Sequence, residues 1–119
     1  MKIGKLNRLY WLKKEITQVE EQIKELSVLP VQSSASASVE QFTEQLLILR
    51  EKLNKKLTEY IQERIAIEDI INYIDEPEVR IIARKRFIEN KSWETIGEEM
   101  YMDRTTAYKK LKRYVKNNL

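Results

Sequence analysis

The sequence predicts an all-α fold, in which a long N-terminal helical hairpin of the coiled-coil type precedes a smaller unit of three helices. Apolar residues recur every three or four positions over most of the chain, as on the buried face of an amphipathic helix. The 119 residues include only two glycines and two prolines, which leaves few positions for the tight turns of a β-rich fold. Hydrophobic residues make up 42% and charged residues 34% of the chain, a balance typical of a folded helical protein.

The composition also excludes several kinds of site. The chain contains no cysteine and no histidine, so the usual ligands of zinc and copper and the commonest acid–base residue are missing. No glycine-rich phosphate loop is evident, and we expect neither enzymatic activity nor a cofactor or metal. Apolar runs such as residues 46–49 are too short for a membrane span of roughly 18 residues or a signal peptide core of about 7. We therefore expect a cytoplasmic protein without a membrane contact.

The first predicted helix covers residues 5–27. Its apolar residues alternate in steps of three and four, which is the heptad pattern of a helix that packs along another helix. These residues are Leu9, Leu12, Ile16, Val19, Ile23 and Leu26. A serine-rich segment at 28–38 follows, and Pro30 within it cannot lie inside a helix. We therefore predict that residues 28–38 form the loop of the hairpin.

A second, longer helix is predicted over residues 39–74. Its heptad stripe shifts by one position at Leu57, which is typical of a stutter in a coiled coil. At 1.5 Å per residue the first helix is about 33 Å long and the second about 54 Å, so roughly 14 residues of stripe extend past the hairpin. Either another subunit or the C-terminal part of the chain must cover this stripe, since a long exposed one is unfavourable. We predict a homodimer or higher homo-oligomer with these interface residues: Leu57, Tyr60, Ile67, Ile71 and Ile74.

A break before Pro77 divides the chain into two predicted domains. Proline suits the first position of a helix, where its missing N–H group is not needed. We predict an oligomerisation arm at residues 1–75 and a second domain at residues 76–119, which starts with a helix at about 78–89. The charge changes at the same place, because residues 1–75 carry 11 basic and 12 acidic side chains (net −1), whereas residues 76–119 carry 11 and 7 (net +4).

Residues 92–115 have the pattern of two helices joined by a tight turn. Ser92 and Asp103 are residue types that cap the start of a helix, and each precedes a predicted helix. Gly97 is small enough for the two helices to cross closely, and Ala107 allows the second helix to lie near the first. Together with the preceding helix, this arrangement predicts a trihelical helix-turn-helix.

The last predicted helix is strongly basic. Residues 104–119 contain six lysines and arginines and no acidic residue. In a helix-turn-helix the start of this helix enters the major groove of double-stranded DNA. We predict that Arg104, Thr105, Tyr108 and Lys109 read bases and that Thr106, Lys112, Arg113 and Lys116 bind phosphates. A solvated helix face with cations near its C-terminus has the same composition, so composition alone leaves both readings open.

Two stretches of this domain resemble a known family. Residues 86–100, with the sequence RFIENKSWETIGEEM, resemble the RYI-x-x-K-S/T-W-E-E-I-A-x-x-M stretch of ArpU/RinA-like phage transcriptional regulators, and residues 102–108 resemble the start of their recognition helix. The same region is similar to region 4 of bacterial sigma factors. The resemblance extends over residues 30–118. It implies a phage or prophage regulator of transcription in the bacterial cytoplasm, with activation of late genes as one form.

This sequence departs from the family pattern at three positions, and functions other than transcriptional regulation stay open. Tyr101 stands where glycine or asparagine is common in the turn, Ala107 replaces a larger aliphatic residue and Asp103 replaces serine. The fold expectation survives these changes, whereas the DNA target does not transfer. One alternative is a small terminase subunit for DNA packaging, and another is a protein-interaction module that binds RNA polymerase without reading DNA. Contact with host RNA polymerase is open for the leading hypothesis as well.

Overall fold

The computed structural model describes residues 3–28 and 36–118, and every regular element in these two ranges is a helix. The helices are α1 (Ile3–Leu6), α2 (Arg8–Val28), α3 (Ser36–Asn72), α4 (Pro77–Ala83), α5 (Trp93–Glu99) and α6 (Arg104–Asn118), and a π-helical turn (Arg84–Ile88) directly follows α4. The predicted all-α fold is confirmed. None of the helices in these ranges is long and apolar enough to cross a membrane.

The chain forms two compact units. The hairpin unit consists of residues 12–61, and the C-terminal unit consists of residues 62–118 together with the described residues up to Trp11. This division differs from the boundary predicted between residues 75 and 76. The reason is that the last turns of α3 carry isoleucines that are buried in the C-terminal unit, such as Ile67 and Ile71, so this part of α3 packs with the domain that follows it.

Within the hairpin unit, α2 and α3 are antiparallel. The predicted stripe on α2 is buried at Leu12, Ile16 and Val19. Near one end of the unit the ammonium group of Lys56 on α3 pairs with the carboxylate of Glu15 on α2. Further along the two helices, Leu26 on α2 and Leu49 on α3 line one groove. Because residue numbers rise on one helix as they fall on the other, the two helices run in opposite directions, and the coiled-coil-like hairpin is confirmed.

The stutter predicted at Leu57 is wrong. The inner line of α3 continues in steps of three and four through Leu53, Lys56 and Tyr60, which are all half-buried, while Leu57 is 37% exposed. A lysine can occupy an inner position because its aliphatic stem covers apolar surface while its ammonium group reaches a polar partner. Here that partner is Glu15, so the heptad pattern is continuous although one of its members is charged.

The structure tests only the two ends of the loop that the sequence predicts at residues 28–38. Val28 still belongs to α2, and α3 already begins at Ser36. Residues 29–35 lie outside the described residues. The earlier start of α3 has a simple local reason, because its first turn contains alanine, which has the highest helix propensity.

The core of the C-terminal unit is built from the last turns of α3 and the inner faces of α4, α5 and α6. Its buried residues include Ile67, Ile71, Ile74, Val79, Ile82, Phe87, Ile96, Ala107, Leu111 and Val115. Pro77 lies in the first turn of α4, as predicted. Burying a large apolar side chain stabilises a fold by roughly 1.5–3 kcal/mol, and this shared core therefore fixes how α6 is held against α4 and α5.

A wide helical turn ends α4 and leads into α5. The Glu89 N–H donates to the Arg84 carbonyl at 3.0 Å, and the Lys91 N–H donates to the Lys85 carbonyl at 3.0 Å. Asn90 between them has φ 58°, a left-handed conformation that asparagine tolerates better than most residues. The chain thereby reverses out of the helix and reaches the start of α5 within a few residues.

Candidate nucleic-acid interface

Ser92 caps the start of α5 as the sequence predicts, whereas the side-chain cap predicted for Asp103 is not among the hydrogen bonds of the described residues. The Ser92 hydroxyl accepts a hydrogen bond from the Thr95 N–H at 3.1 Å, which satisfies one of the N–H groups left open at a helix start. Asp103 directly precedes α6, and its carbonyl accepts the Ala107 N–H at 3.1 Å. Tyr101 in the turn has φ 55°. A tyrosine therefore occupies the left-handed position for which glycine or asparagine is the usual choice.

Gly97 on α5 lies close to the backbone of the turn and of the start of α6. A Cβ atom at this position would lie 2.7 Å from the Met102 carbonyl oxygen and 2.9 Å from the Arg104 nitrogen. Both neighbours are backbone atoms, so a side chain cannot be accommodated by rotating another side chain. The role that the sequence predicts for Gly97, a small residue at the helix crossing, is confirmed.

One face of α6 is fixed by burial. Ala107, Leu111 and Val115 are buried, and the buried Tyr114 hydroxyl donates to the Asp75 carboxylate at 2.9 Å and accepts the Asp75 N–H at 3.2 Å. The N–H bond by itself lowers the pKa of Tyr114, but burial and the nearby carboxylate outweigh it, so the pKa lies above its ordinary value of 10.0. These contacts anchor α6 to the segment after α3 and determine which residues face outward.

The predicted DNA contacts on α6 are all on its solvent-exposed surface. Every one of them is exposed: Arg104, Thr105, Thr106, Tyr108, Lys109, Lys112, Arg113 and Lys116. The ion pairs of the described part of the chain include none of the five basic residues in this set. We call these five residues the α6 basic face: Arg104, Lys109, Lys112, Arg113 and Lys116. All five are exposed on α6, with Arg104 in its first turn and the other four further along, and their roles in binding stay predictions.

Neighbouring lysines differ from this face because carboxylates neutralise them. Lys110 on α6 pairs with Glu78 at the start of α4. Lys85 and Lys91 both bind the Glu99 carboxylate, at 2.8 Å and 2.6 Å. Hydrogen bonds from Lys85 and then Lys91 are the main reasons why the pKa of Glu99 is lowered. Within residues 62–118, the lysines without a carboxylate partner therefore all lie on α6.

Four side chains form a continuous stack that sequence reasoning did not foresee. The Arg86 guanidinium lies 5.1 Å from the centre of the Trp93 ring. The Trp93 and Tyr108 rings meet edge to face with centres 5.3 Å apart, and the Lys112 ammonium lies 5.7 Å from the centre of the Tyr108 ring. We call this arrangement the Trp93 stack. The only signal in the sequence was the spacing of Tyr108 and Lys112, which places them on one side of a helix.

The predicted oligomerisation residues do not form one free surface. Ile67, Ile71 and Ile74 are each at most 2% exposed within a single chain, because the C-terminal unit covers its own part of α3. The sequence left open whether another subunit or the C-terminal part of the chain covers this stripe, and for these three residues it is the C-terminal part. In the hairpin unit Leu57 is exposed and Tyr60 is half-buried. A homo-oligomer stays a prediction, but the three isoleucines no longer argue for it.

Among the described residues, no group of three or more acidic side chains is arranged to hold a metal ion. The expectations that the chain has no enzymatic activity and no cofactor stay predictions.

Comparison with known proteins adds one finding. A family model described as "Protein of unknown function (DUF1492)" matches residues 25–119, a range that includes all of α3 and the helices after it. No curated protein matches the chain, and no solved structure matches it.

Proposed function

The chain belongs to the DUF1492 family, and we propose that it is a sequence-specific DNA-binding regulator of transcription in a phage or prophage. It acts in the cytoplasm of the bacterial host, with the outer face of α6 in the major groove of double-stranded DNA. The observation that carries this proposal is the α6 basic face, which is exposed and without a carboxylate partner in the described ranges.

The placement of charge along α6 suits two kinds of DNA contact. Arg104 and Lys109 lie near the start of the helix, where side chains reach base edges, and both can donate to guanine. Lys112, Arg113 and Lys116 lie further along, where they can meet the phosphates. Each cation that neutralises a phosphate releases a bound counterion, and this release contributes much of the affinity of proteins for DNA.

The residue types on α6 favour DNA over a protein partner. The exposed face contains no leucine, isoleucine, valine or methionine, so it offers no aliphatic anchor. Protein–protein interfaces are depleted in lysine, whereas this face carries Lys109, Lys112 and Lys116. A polyanion matches this surface better than a protein does.

The resemblance of residues 86–108 to ArpU/RinA-like phage regulators supports the regulatory part of the proposal. It suggests activation of late genes as the form of control. The similarity to sigma factor region 4 suggests contact with host RNA polymerase. We propose this contact as the way in which the DNA-bound chain acts on transcription.

The experiment is to select bound duplexes from a random pool with the full chain, and then to measure Kd on a selected and a scrambled duplex. We expect one enriched sequence, and we expect Lys109→Ala to reduce the preference for it roughly tenfold, since a good base contact gives about 1–3 kcal/mol of discrimination. Lys110→Ala is the matched control, because this adjacent lysine is paired with Glu78 and the preference should be kept. A pool without enrichment contradicts the proposal and favours the interaction module.

A further inference from the structure

The Trp93 stack connects the recognition face to residues that do not lie on α6. Trp93 is the first residue of α5 and is half-buried, so its ring is held by the fold. Arg86 covers this ring from the π-helical turn, and the Arg86 guanidinium is itself held because it donates to the Lys91 carbonyl at 3.1 Å. The Trp93 ring is therefore a fixed support on which Tyr108 rests.

The two members of the stack on α6 keep their polar groups available. Among the described residues, no hydrogen bond involves the Tyr108 hydroxyl, and no carboxylate lies within ion-pair distance of the Lys112 ammonium. The edge-to-face contact with Trp93 orients the Tyr108 ring. The ring then holds Lys112, one helical turn further on, by a cation–π contact.

Pre-orientation matters because flexible side chains lose rotational freedom when they bind. A free lysine has many rotamers, and an exposed tyrosine has several. In the stack both side chains are already restricted by their ring contacts, and both are exposed on α6. A DNA sequence that contacts both groups in this geometry therefore causes a smaller loss of side-chain entropy on binding. A DNA sequence that requires another geometry has no such advantage.

From this geometry we infer that Trp93 is a specificity-determining positioning residue, which presents Tyr108 and Lys112 to DNA as one rigid pair without contacting DNA itself. The inference rests on the proposed function of α6. It predicts that loss of Trp93 weakens the selected site more than unrelated DNA, and that Trp93 and Tyr108 are energetically coupled.

The test uses the full chain with Trp11→Phe as background, which leaves Trp93 as the only tryptophan of the two in the sequence. We expect Trp93→Leu to raise Kd on the selected duplex about tenfold and Kd on a scrambled duplex far less. Trp93→Phe keeps an aromatic edge and should restore most of the loss. Tyr108→Leu breaks the same stack from an exposed position, so it tests the pair even if Trp93→Leu disturbs folding, which circular dichroism monitors.

The decisive comparison is the double variant Trp93→Leu/Tyr108→Leu. If the two rings act as a pair, the double variant binds the selected duplex no more weakly than Tyr108→Leu alone. Because Trp93 does not contact DNA, quenching of its fluorescence by acrylamide should stay unchanged when the selected duplex is added to the background protein. Losses that multiply in the double variant overturn the inference while the proposed function stands. Equal binding of the two duplexes by the background protein overturns the proposed function and this inference with it.

Discussion

At the scale of single residues, Gly97 sets the shape of the recognition unit. Any Cβ atom there would press on the backbone of Met102 and Arg104, at 2.7 Å and 2.9 Å. We expect Gly97→Ala to lower the free energy of unfolding by about 1–3 kcal/mol, the usual cost of overpacking a rigid contact, as measured by urea denaturation. Gly4 is the matched control, since a Cβ there would meet nothing within 4 Å. Equal stability of Gly97→Ala and wild type would show that the helices do not cross this closely.

Tyr114 gives a second prediction, which depends on pH. Tyr114→Phe removes both hydrogen bonds to Asp75 and should lower the midpoint of denaturation at neutral pH. The folded-state pKa of Tyr114 is raised above 10.0, so its stabilising contribution is complete below pH 10 and is lost as the pH rises through the folded-state value. The difference between wild type and Tyr114→Phe should therefore shrink in alkaline solution. A difference that stays constant or grows there contradicts the assignment.

Local residue roles were predictable from the sequence, and contacts between distant residues were not. The Ser92 cap and the small residue at Gly97 depend on neighbours within a few positions, so residue type and spacing were enough to identify them. The Lys110–Glu78 ion pair joins residues on different helices, as does the contact between Trp93 and Tyr108. Such pairs depend on how the helices pack, and no local pattern contains that information.

At the scale of elements, periodicity located the long helices but not the details of their faces. The stripe on α2 is buried from Leu9 to Val19 and half-buried at Ile23 and Leu26, because steps of three and four place residues on one side of a helix. On α3 the same rule predicted that Leu57 faces inward, because only apolar residues were counted as inward-facing. The structure places Lys56 on the inner line instead, and an amphipathic side chain of this kind is invisible to a pattern of apolar residues.

The basic face of α6 predicts a defined salt dependence. Lys112 is exposed and lacks an ion-pair partner among the described residues, so we expect Lys112→Ala to reduce the slope of log Kd against log salt by about 1, on selected and scrambled DNA alike. Lys52→Ala, an exposed lysine on α3, is the control and should leave the slope nearly unchanged. Titrations at several salt concentrations measure both. An unaltered slope for Lys112→Ala removes this residue from the phosphate contacts.

At the scale of the whole molecule, the cover of the α3 stripe is the feature that sequence reasoning left undecided. A stripe that extends past a hairpin needs a partner, but its length does not reveal whether the partner is a second chain or another part of the same chain. The structure gives the second answer for Ile67, Ile71 and Ile74. For the same reason residues 62–75 belong to the C-terminal unit, whereas the sequence predicts them in the N-terminal arm.

This assignment predicts a stability effect that does not depend on protein concentration. Ile71 is 1% exposed, whereas Ile65 on the same helix is 56% exposed. We expect Ile71→Ala to lower the free energy of unfolding by about 2–5 kcal/mol and Ile65→Ala to change it by less than about 1 kcal/mol. Chemical denaturation at several protein concentrations measures both effects. If the loss for Ile71→Ala varies with concentration, the isoleucine belongs to an interface between subunits.

The central claim is that the exposed face of α6 reads DNA, and one titration tests it most directly. Wild-type chain is titrated with a duplex selected from a random pool and with its scrambled counterpart, over a range of salt concentrations. We predict that added salt weakens both complexes and that the selected duplex binds at least about 10³-fold more tightly, the lower end of typical specific recognition. Equal affinity for the two duplexes at every salt concentration would contradict the claim.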